Sequence, residues 1–494
     1  MSGVHWIPAA IVLAYIVVLV VVTAWAGRLP SARAGVIGYL LAGRQMPASV
    51  TAAMLTGLAV GGASTIGVAE QAYTSGISAG WYNAAWGAGA CVMGLVFAAR
   101  YRRLELTTIP ELLGRYYTRT GRVLGVIGQL AIQIVVTSLQ YVAGGAILSS
   151  LMPTVFTLRT GMMTTALLFI GVTLVGGFWA AGLTNVINVL MIYVGIGIAV
   201  VMTLAKVGGI EGLVARLPAG HPGFDPFGVG TGQILAWFLV MVTTVVSMQS
   251  VVQISFAGRD EQASRTGFLW GAAIIFPVGF ISALIGMAAA ILHPGIPPAE
   301  ALPRTVLDLP PAVAGLALSG LWAADISTAC ALLLGSATLV SHDILGHTGG
   351  HAADARRERL ICRLTVTAIG ALTFVLALSV SGILKVLLAG LTLSTAYALI
   401  VIATMFTPGL CRRSSATWTL LATMVSLLVW LAVPSARLGL PHPIYATWLA
   451  SLAAFGIVAA VDRRPIQFSG FTPAAVRSAS IESTTRELSA AKRG

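Results

Sequence analysis

"TGLAVGGASTIGVAEQAYTSG" (Thr56–Gly76) crowds Gly57, Gly61, Gly62 and Gly67 into one apolar run, with Ser64 among them. In hydrocarbon every backbone N–H and C=O must be satisfied within a helix, unless irregular backbone lines a cavity buried in protein. Clustered glycines favour a break in the helix, and a break frees carbonyls to bind a cation. A small-residue face against a neighbouring helix is the other reading. The stretch alone leaves both open.

Composition decides the setting. The chain has 494 residues, 57% hydrophobic and only 9% charged, against about 25% charged in soluble domains. It reads as an all-α polytopic membrane protein, and at about 20 apolar residues per span its length allows roughly a dozen helices. Cys91, Cys330, Cys362 and Cys411 show no CxxC spacing, so neither a disulfide framework nor a metal site is implied. The opening residues, without a basic region before a long apolar stretch, read as a first span and not as a cleaved signal.

Apolar windows bounded by Gly, Pro and charge predict thirteen helices. They fall at about 5–26, 47–74, 79–99, 121–150, 158–178, 182–205, 230–257, 266–292, 312–341, 361–381, 384–407, 416–433 and 442–461. The charges test that count independently. With the N-terminus outside, 23 of the 29 Lys and Arg residues fall in loops on the inner side. The positive-inside rule therefore supports an odd number of spans and a cytoplasmic C-terminus. The net charge of +13 is then a sign of topology and not of a nucleic-acid partner. The membrane domain is expected over 1–463. The polar, Ser/Thr-rich tail over 464–494 is expected to be a disordered cytoplasmic end.

A second segment carries unusual polarity: "LWAADISTACALL" (Leu321–Leu333) holds Asp325, Ser327 and Thr328 in an apolar run. At about 100° per residue, Ala324, Ser327 and Thr328 share roughly a third of the helix circumference. Two hydroxyls and a nearby carbonyl suit a hard, singly charged cation; back-bonding of both hydroxyls to their own helix is the alternative. Other polar groups inside spans are Gln71 (with Glu70, near a span end), Gln140, Tyr141, Gln249, Gln253 and Tyr397. Each is a candidate for lining a cavity or for an interhelical hydrogen bond. The histidines lie mostly in loops and form no metal-ligand set. No nucleophile elbow, HExxH, P-loop or dinucleotide fingerprint occurs, so enzymatic chemistry is not indicated and no cofactor is expected.

Four segments together resemble the sodium/solute symporter family. "LAGRQMPASVTAAMLTG" is similar to its Gly-Arg entry to a broken helix, and "STIGVAEQAYTSGISAGWY" to the second half of that helix. "GGFWAAGLTNVINVLMIYVG" and "AADISTACALLLGSATLVSHDIL" resemble two later motifs, in the family's order. The resemblance implies the leucine-transporter architecture: an inverted repeat of five plus five helices, with a broken helix in each repeat. It places the repeats at about 47–205 and 230–407. It implies a sodium ion held by the carbonyls of Gly57, Val60 and Ala324 and the hydroxyls of Ser327 and Thr328. It also puts Arg44 at the family's inner-side arginine. Read from the residues themselves, Gly61, Gly62, Ser64, Gln71, Gln140, Tyr141, Asn185, Gln249, Gln253 and Asp325 are the substrate or coupling candidates. Two departures stand out. Asn185 replaces the aspartate of members with a second sodium site, and Asp325 stands where the family is apolar.

The expected function is sodium-coupled symport of a small organic solute across the cell membrane, an amino acid or monocarboxylate before a polyol or vitamin. Asp325 has three readings: it borders the ion site, it titrates and couples protons in place of sodium, or it pairs structurally. A non-transporting sensor on the same fold is the rival reading, but the short tail offers no output domain.

Overall fold

The computed structural model describes residues 6–28, 35–345, 355–379, 383–433 and 439–466. The tail from 467 onward and the loop carrying His347 and His351 lie outside these. The described residues form helices and no β-strand; two isolated bridges, Met46 with Gly258 and Arg412 with Pro465, are the only extended pairings among them.

Among the described residues eleven helices are long and apolar enough to cross a membrane, and a bent pair brings the count to twelve. That count does not reach the expected thirteen. The shortfall sits in the glycine-rich stretch. Helix α2 (Ala48–Ala59) has 12 residues, too short at about 1.5 Å per residue to cross hydrocarbon. Chain continues past a break into a π-helical segment, Ala63–Gly67, and α3 (Val68–Ser75). A tight 3-10 turn at Gly76–Gly80 then leads directly into α4 (Trp81–Val92), so helical structure from Ala63 to Leu104 counts as one span.

Around this lie α1 (Trp6–Ala26), α5 (Arg119–Leu151) and α6 (Leu158–Val207). The expected spans 158–178 and 182–205 are both contained in α6, kinked at Gly177, whose φ of 63° and ψ of −169° suit glycine alone. The second broken span is α7 (Thr231–Ser247) and α8 (Gln249–Ala257), bent by 47°. There follow α9 (Glu261–Leu292), α10 (Pro311–Thr338), α11 (Ala355–Ala377), α12 (Ile383–Leu391) and α13 (Ser394–Phe406). Helices α14 (Ser415–Ala432) and α15 (Pro443–Val461) complete the set.

Helix α10 is the axis of the molecule. Its apolar window is 94% buried in protein, against 28% for α1, so α1 faces lipid while α10 faces almost none. Helices whose polar groups cannot reach water or headgroups must satisfy them against neighbours. That is why the polar run of α10 is tolerated there.

Charges collect at the two ends. At one, Arg103 pairs with Glu261 at 2.7 Å and Arg122 with Asp343 at 2.7 Å. Arg102 donates to the Gly258 carbonyl at the same end. A backbone bridge there ties the entry of α2 to the exit of α8: Met46 N–H donates to Ala257 O, and Arg259 N–H to Met46 O. At the other end Tyr73 donates to His293 O, and Lys206 reaches Asp308 O.

Candidate functional site

The first break falls at Val60 (φ −97°, ψ 82°), directly before Gly61 and Gly62. Helix α2 ends at Ala59, and the Gly57 carbonyl near its end takes two hydroxyls from α10. Ser327 Oγ donates to it at 2.7 Å and Thr328 Oγ1 at 2.9 Å. Each hydroxyl has one proton to share, and Ala324 O, at 2.8 and 3.0 Å, competes for it, as does Leu58 O at 3.2 Å from Thr328. Cross-helix bonding and back-bonding are therefore both within reach. Gly57, Leu58, Ala324, Ser327 and Thr328 converge in one buried cluster of oxygens.

The glycines are needed for close approach and not for unusual dihedrals. A Cβ on Gly61 would stand 2.6 Å from Gln140 Oε1 and 2.7 Å from Thr328 Oγ1. On Gly62 it would stand 2.4 Å from Ala143 Cβ and 2.7 Å from Asp325 Oδ1. No side chain fits at such distances. Gln140 also accepts the Gly62 N–H at 3.0 Å, supplying one partner that the broken ladder lacks. Ser64 turns its hydroxyl back to Ala59 O at 2.5 Å across the break.

Asp325 is fully buried, and neither carboxylate oxygen has a hydrogen bond of ordinary geometry among the described residues. Asn185 lies on the opposite side of Gly57, where a Cβ would stand 2.7 Å from its amide. Its Oδ1 accepts from Asn188, which in turn accepts from Tyr15 of α1.

A cavity opens beside the break, lined by Gly61, Tyr82, Trp86, Gln140, Met248 and Thr328 among others. Tyr82 and Trp86 share one face of α4, with Trp86 donating to the Tyr82 hydroxyl. Sequence reading passed over both, because an aromatic pair in an apolar span reads as packing. Their spacing of four was the available signal.

Several expected candidates are placed elsewhere. Gln249 donates to Thr107 O and accepts from Ile109 N–H. Gln253 donates to Leu40 O and Thr338. Both amides tie α8 to its neighbours and do not face the cavity. Tyr141 packs on Phe169, on another face of α5. Gln71 is used locally, donating to Ser75, and Tyr397 donates to Gly125 O. Arg44 lies at the arginine-rich end, donating to Glu105 O at 2.7 Å and Leu106 O at 3.3 Å. Partial burial, then the neighbouring Arg102 charge, holds its pKa below the usual arginine value.

With this geometry in view, the sequence model of the sodium:solute symporter family matches residues 39–422. The chain belongs to that family. It is 24% identical over 457 residues to the osmoregulated proline transporter OpuE of Bacillus subtilis, covering 87% of this chain and 90% of that one. It is 26% identical over 352 residues to the sodium/pantothenate symporter of Escherichia coli, covering 67% and 71%. Among solved structures, a Na+-coupled sialic acid symporter in its substrate-bound outward-open state superposes with a TM-score of 0.77 at 16% identity. That match covers 94% of this chain and 99% of the other. Mhp1, a nucleobase-cation-symport-1 family transporter, matches at 0.58 and 17% identity over 86% and 95%. The fold is therefore that of the leucine-transporter-type carriers. The chain is a multi-pass membrane symporter and not an enzyme.

Proposed function

We propose that sodium binds where α2 and α10 meet, held by the carbonyls of Gly57, Val60 and Ala324 and the hydroxyls of Ser327 and Thr328. The observation that carries this is the convergence of both hydroxyls on the Gly57 carbonyl. In this arrangement the oxygens satisfy one another through hydrogen bonds. An entering ion exchanges those bonds for coordination: each hydroxyl turns its proton away and offers a lone pair. No formal charge among the five ligands holds the ion, so release stays easy, as a carrier requires. The solute occupies the adjoining cavity at Gly61, Gln140, Tyr82 and Trp86.

Because Gly57 belongs to the first broken helix and Ser327 and Thr328 to α10, the ion bridges two elements that move relative to each other in alternating access. The repeats are assigned to about 47–205 and 230–407 on that basis, with the N-terminus outside and the arginine-rich end cytoplasmic. A tenfold sodium gradient supplies about 1.4 kcal/mol, and one charge crossing about 100 mV roughly 2.3 kcal/mol. Together these support on the order of 500-fold accumulation of a neutral solute.

The test is thermal stability of the purified protein in sodium against potassium. Sodium is expected to raise the midpoint and Thr328→Ala to abolish most of the rise. An equal response of both proteins to sodium removes this site assignment.

A further inference from the structure

The carboxylate of Asp325 has no role in the sodium site as drawn. It lies beside Gly62, the residue that caps the start of the half-helix running through Ala63–Gly67 and α3. The start of a half-helix carries positive partial charge, and in carriers of this architecture such an end is suited to a solute's anionic group. Here a side-chain carboxylate already occupies that place. A monocarboxylate or amino acid, the expectation from sequence, would bring a second carboxylate to the same end and meet like-charge repulsion.

Asp325 is itself incomplete. It is fully buried, neither oxygen has a hydrogen bond of ordinary geometry, the Gly62 N–H facing it already donates to Gln140, and no described Lys, Arg or His pairs with it. A buried carboxylate is stable only when paired and hydrogen-bonded. The adjoining cavity offers the surroundings of a cation. Gln140 Oε1 is an acceptor at Gly61, and the Tyr82 and Trp86 rings line the same space. Aromatic faces attract ammonium groups. Asp325 stands one helical turn before Thr328, which lines that cavity, and the adjacent glycines Gly61 and Gly62 pack against Thr328 and Asp325 in turn.

Resting on the symport reading above, we infer that the solute is an organic cation, bearing an ammonium group and no carboxylate, whose charge Asp325 neutralises. The carboxylate then lies between the solute and the sodium ion one residue away, and offsets the repulsion between them. That gives each cation a reason to bind better when the other is present.

The test uses purified full-length protein, wild type and Asp325→Asn, with thermal shift and proteoliposome uptake in sodium and in potassium. Choline and ethanolamine serve as cations, glycine betaine and L-proline as zwitterions, lactate as an anion and glucose as a neutral solute. The expected result is sodium-dependent stabilisation and uptake with a cation. Asp325→Asn should weaken its binding at least about thirtyfold, as for truncation of one partner of a buried charge pair. A single cooperative thermal transition and an unchanged gel-filtration profile in Asp325→Asn show that the variant folds. Stabilisation by sodium without response to either cation overturns the inference and leaves symport standing. So does a preference for betaine, proline, lactate or glucose, or an undiminished cation response in Asp325→Asn. Absence of any sodium effect in the wild type overturns the symport reading and this inference together.

Discussion

The chain interrupts two of its membrane helices, at Val60–Gly62 and at Met248, and completes the two interruptions by different chemistry. At Met248 (φ −77°, ψ 131°) the loose backbone ends are closed by fixed side-chain amides. Gln129 donates to Ser247 O at 2.8 Å and accepts from Gln249 N–H at 2.9 Å, so one side chain replaces both halves of the lost ladder. Ser247 adds a bond to Ser394 O on α13. At Val60–Gly62 the loose carbonyls meet hydroxyls, which can donate a hydrogen bond or accept a cation with equal ease. An amide clamp holds a bend; a hydroxyl pair leaves room for a guest. On the sodium site proposed here, the first break is built for exchange and the second for permanence.

Glycine is what most separates them, so the largest effect is expected there. Gly62→Ala places a methyl 2.4 Å from Ala143 Cβ and 2.7 Å from Asp325 Oδ1. Overpacking of this kind costs about 3 kcal/mol, equivalent to roughly a hundredfold. Uptake in proteoliposomes should fall by about that factor. Val246→Ala, beside the other break and outside the cavity lining, removes atoms and adds none, and should change it less than about threefold. Comparable losses in both variants would erase the distinction.

Next is Gln129→Ala. It orphans a buried carbonyl and a buried N–H at once, for about 2–4 kcal/mol of stability. Chemical or thermal unfolding should show this, while the sodium concentration for half-maximal uptake stays within about twofold. A large shift in sodium dependence would mean that the second break also takes part in ion binding.

Thr328→Ala should do the reverse. The Gly57 and Ala324 carbonyls keep Ser327 as donor, so stability falls by only about 1 kcal/mol. The sodium requirement should rise about tenfold, and Thr328→Ser, which keeps the oxygen, should restore most of it. Sodium titrations of uptake separate these outcomes.

The same contrast governs what the sequence made legible. Gly57, Ala324, Ser327 and Thr328 were visible because glycine and hydroxyl residues are out of place in apolar spans, and helical spacing set three of them on one face. The second break carried no such mark. Met248 is an ordinary apolar residue, and the clamp that closes its break comes from Gln129, 120 positions before Gln249. Only the packed fold brings them together. Gln249 and Gln253 were noticed for the right reason, as polar groups in a span, and of the two readings left open for them the interhelical hydrogen bond is the one their contacts favour. An amide in a membrane helix reads alike whether it faces a solute or closes a backbone gap. The spans themselves followed from hydropathy. Their exact count did not, because Ala48–Ala59 is too short to register alone and the helical structure after the break runs from Ala63 to Leu104 as one span.

The smallest effect separates packing from closure within the second break. Ser394 Oγ lies 3.0 Å from Thr243 Oγ1 and 3.1 Å from Thr244 Oγ1, linking α7 to α13. Its loss looks serious on a list of contacts, yet Thr243 also donates to Leu239 O at 2.9 Å and Val240 O at 2.8 Å within its own helix. The Ser247 bond to position 394 uses the backbone carbonyl and survives substitution. Ser394→Ala therefore leaves Thr243 satisfied, takes from buried Thr244 Oγ1 its bond to Ser394, and should cost about 1 kcal/mol, with sodium dependence and uptake unchanged. A denaturation midpoint near that of the wild type would show that the amide of Gln129, and not the surrounding hydroxyls, holds the bend.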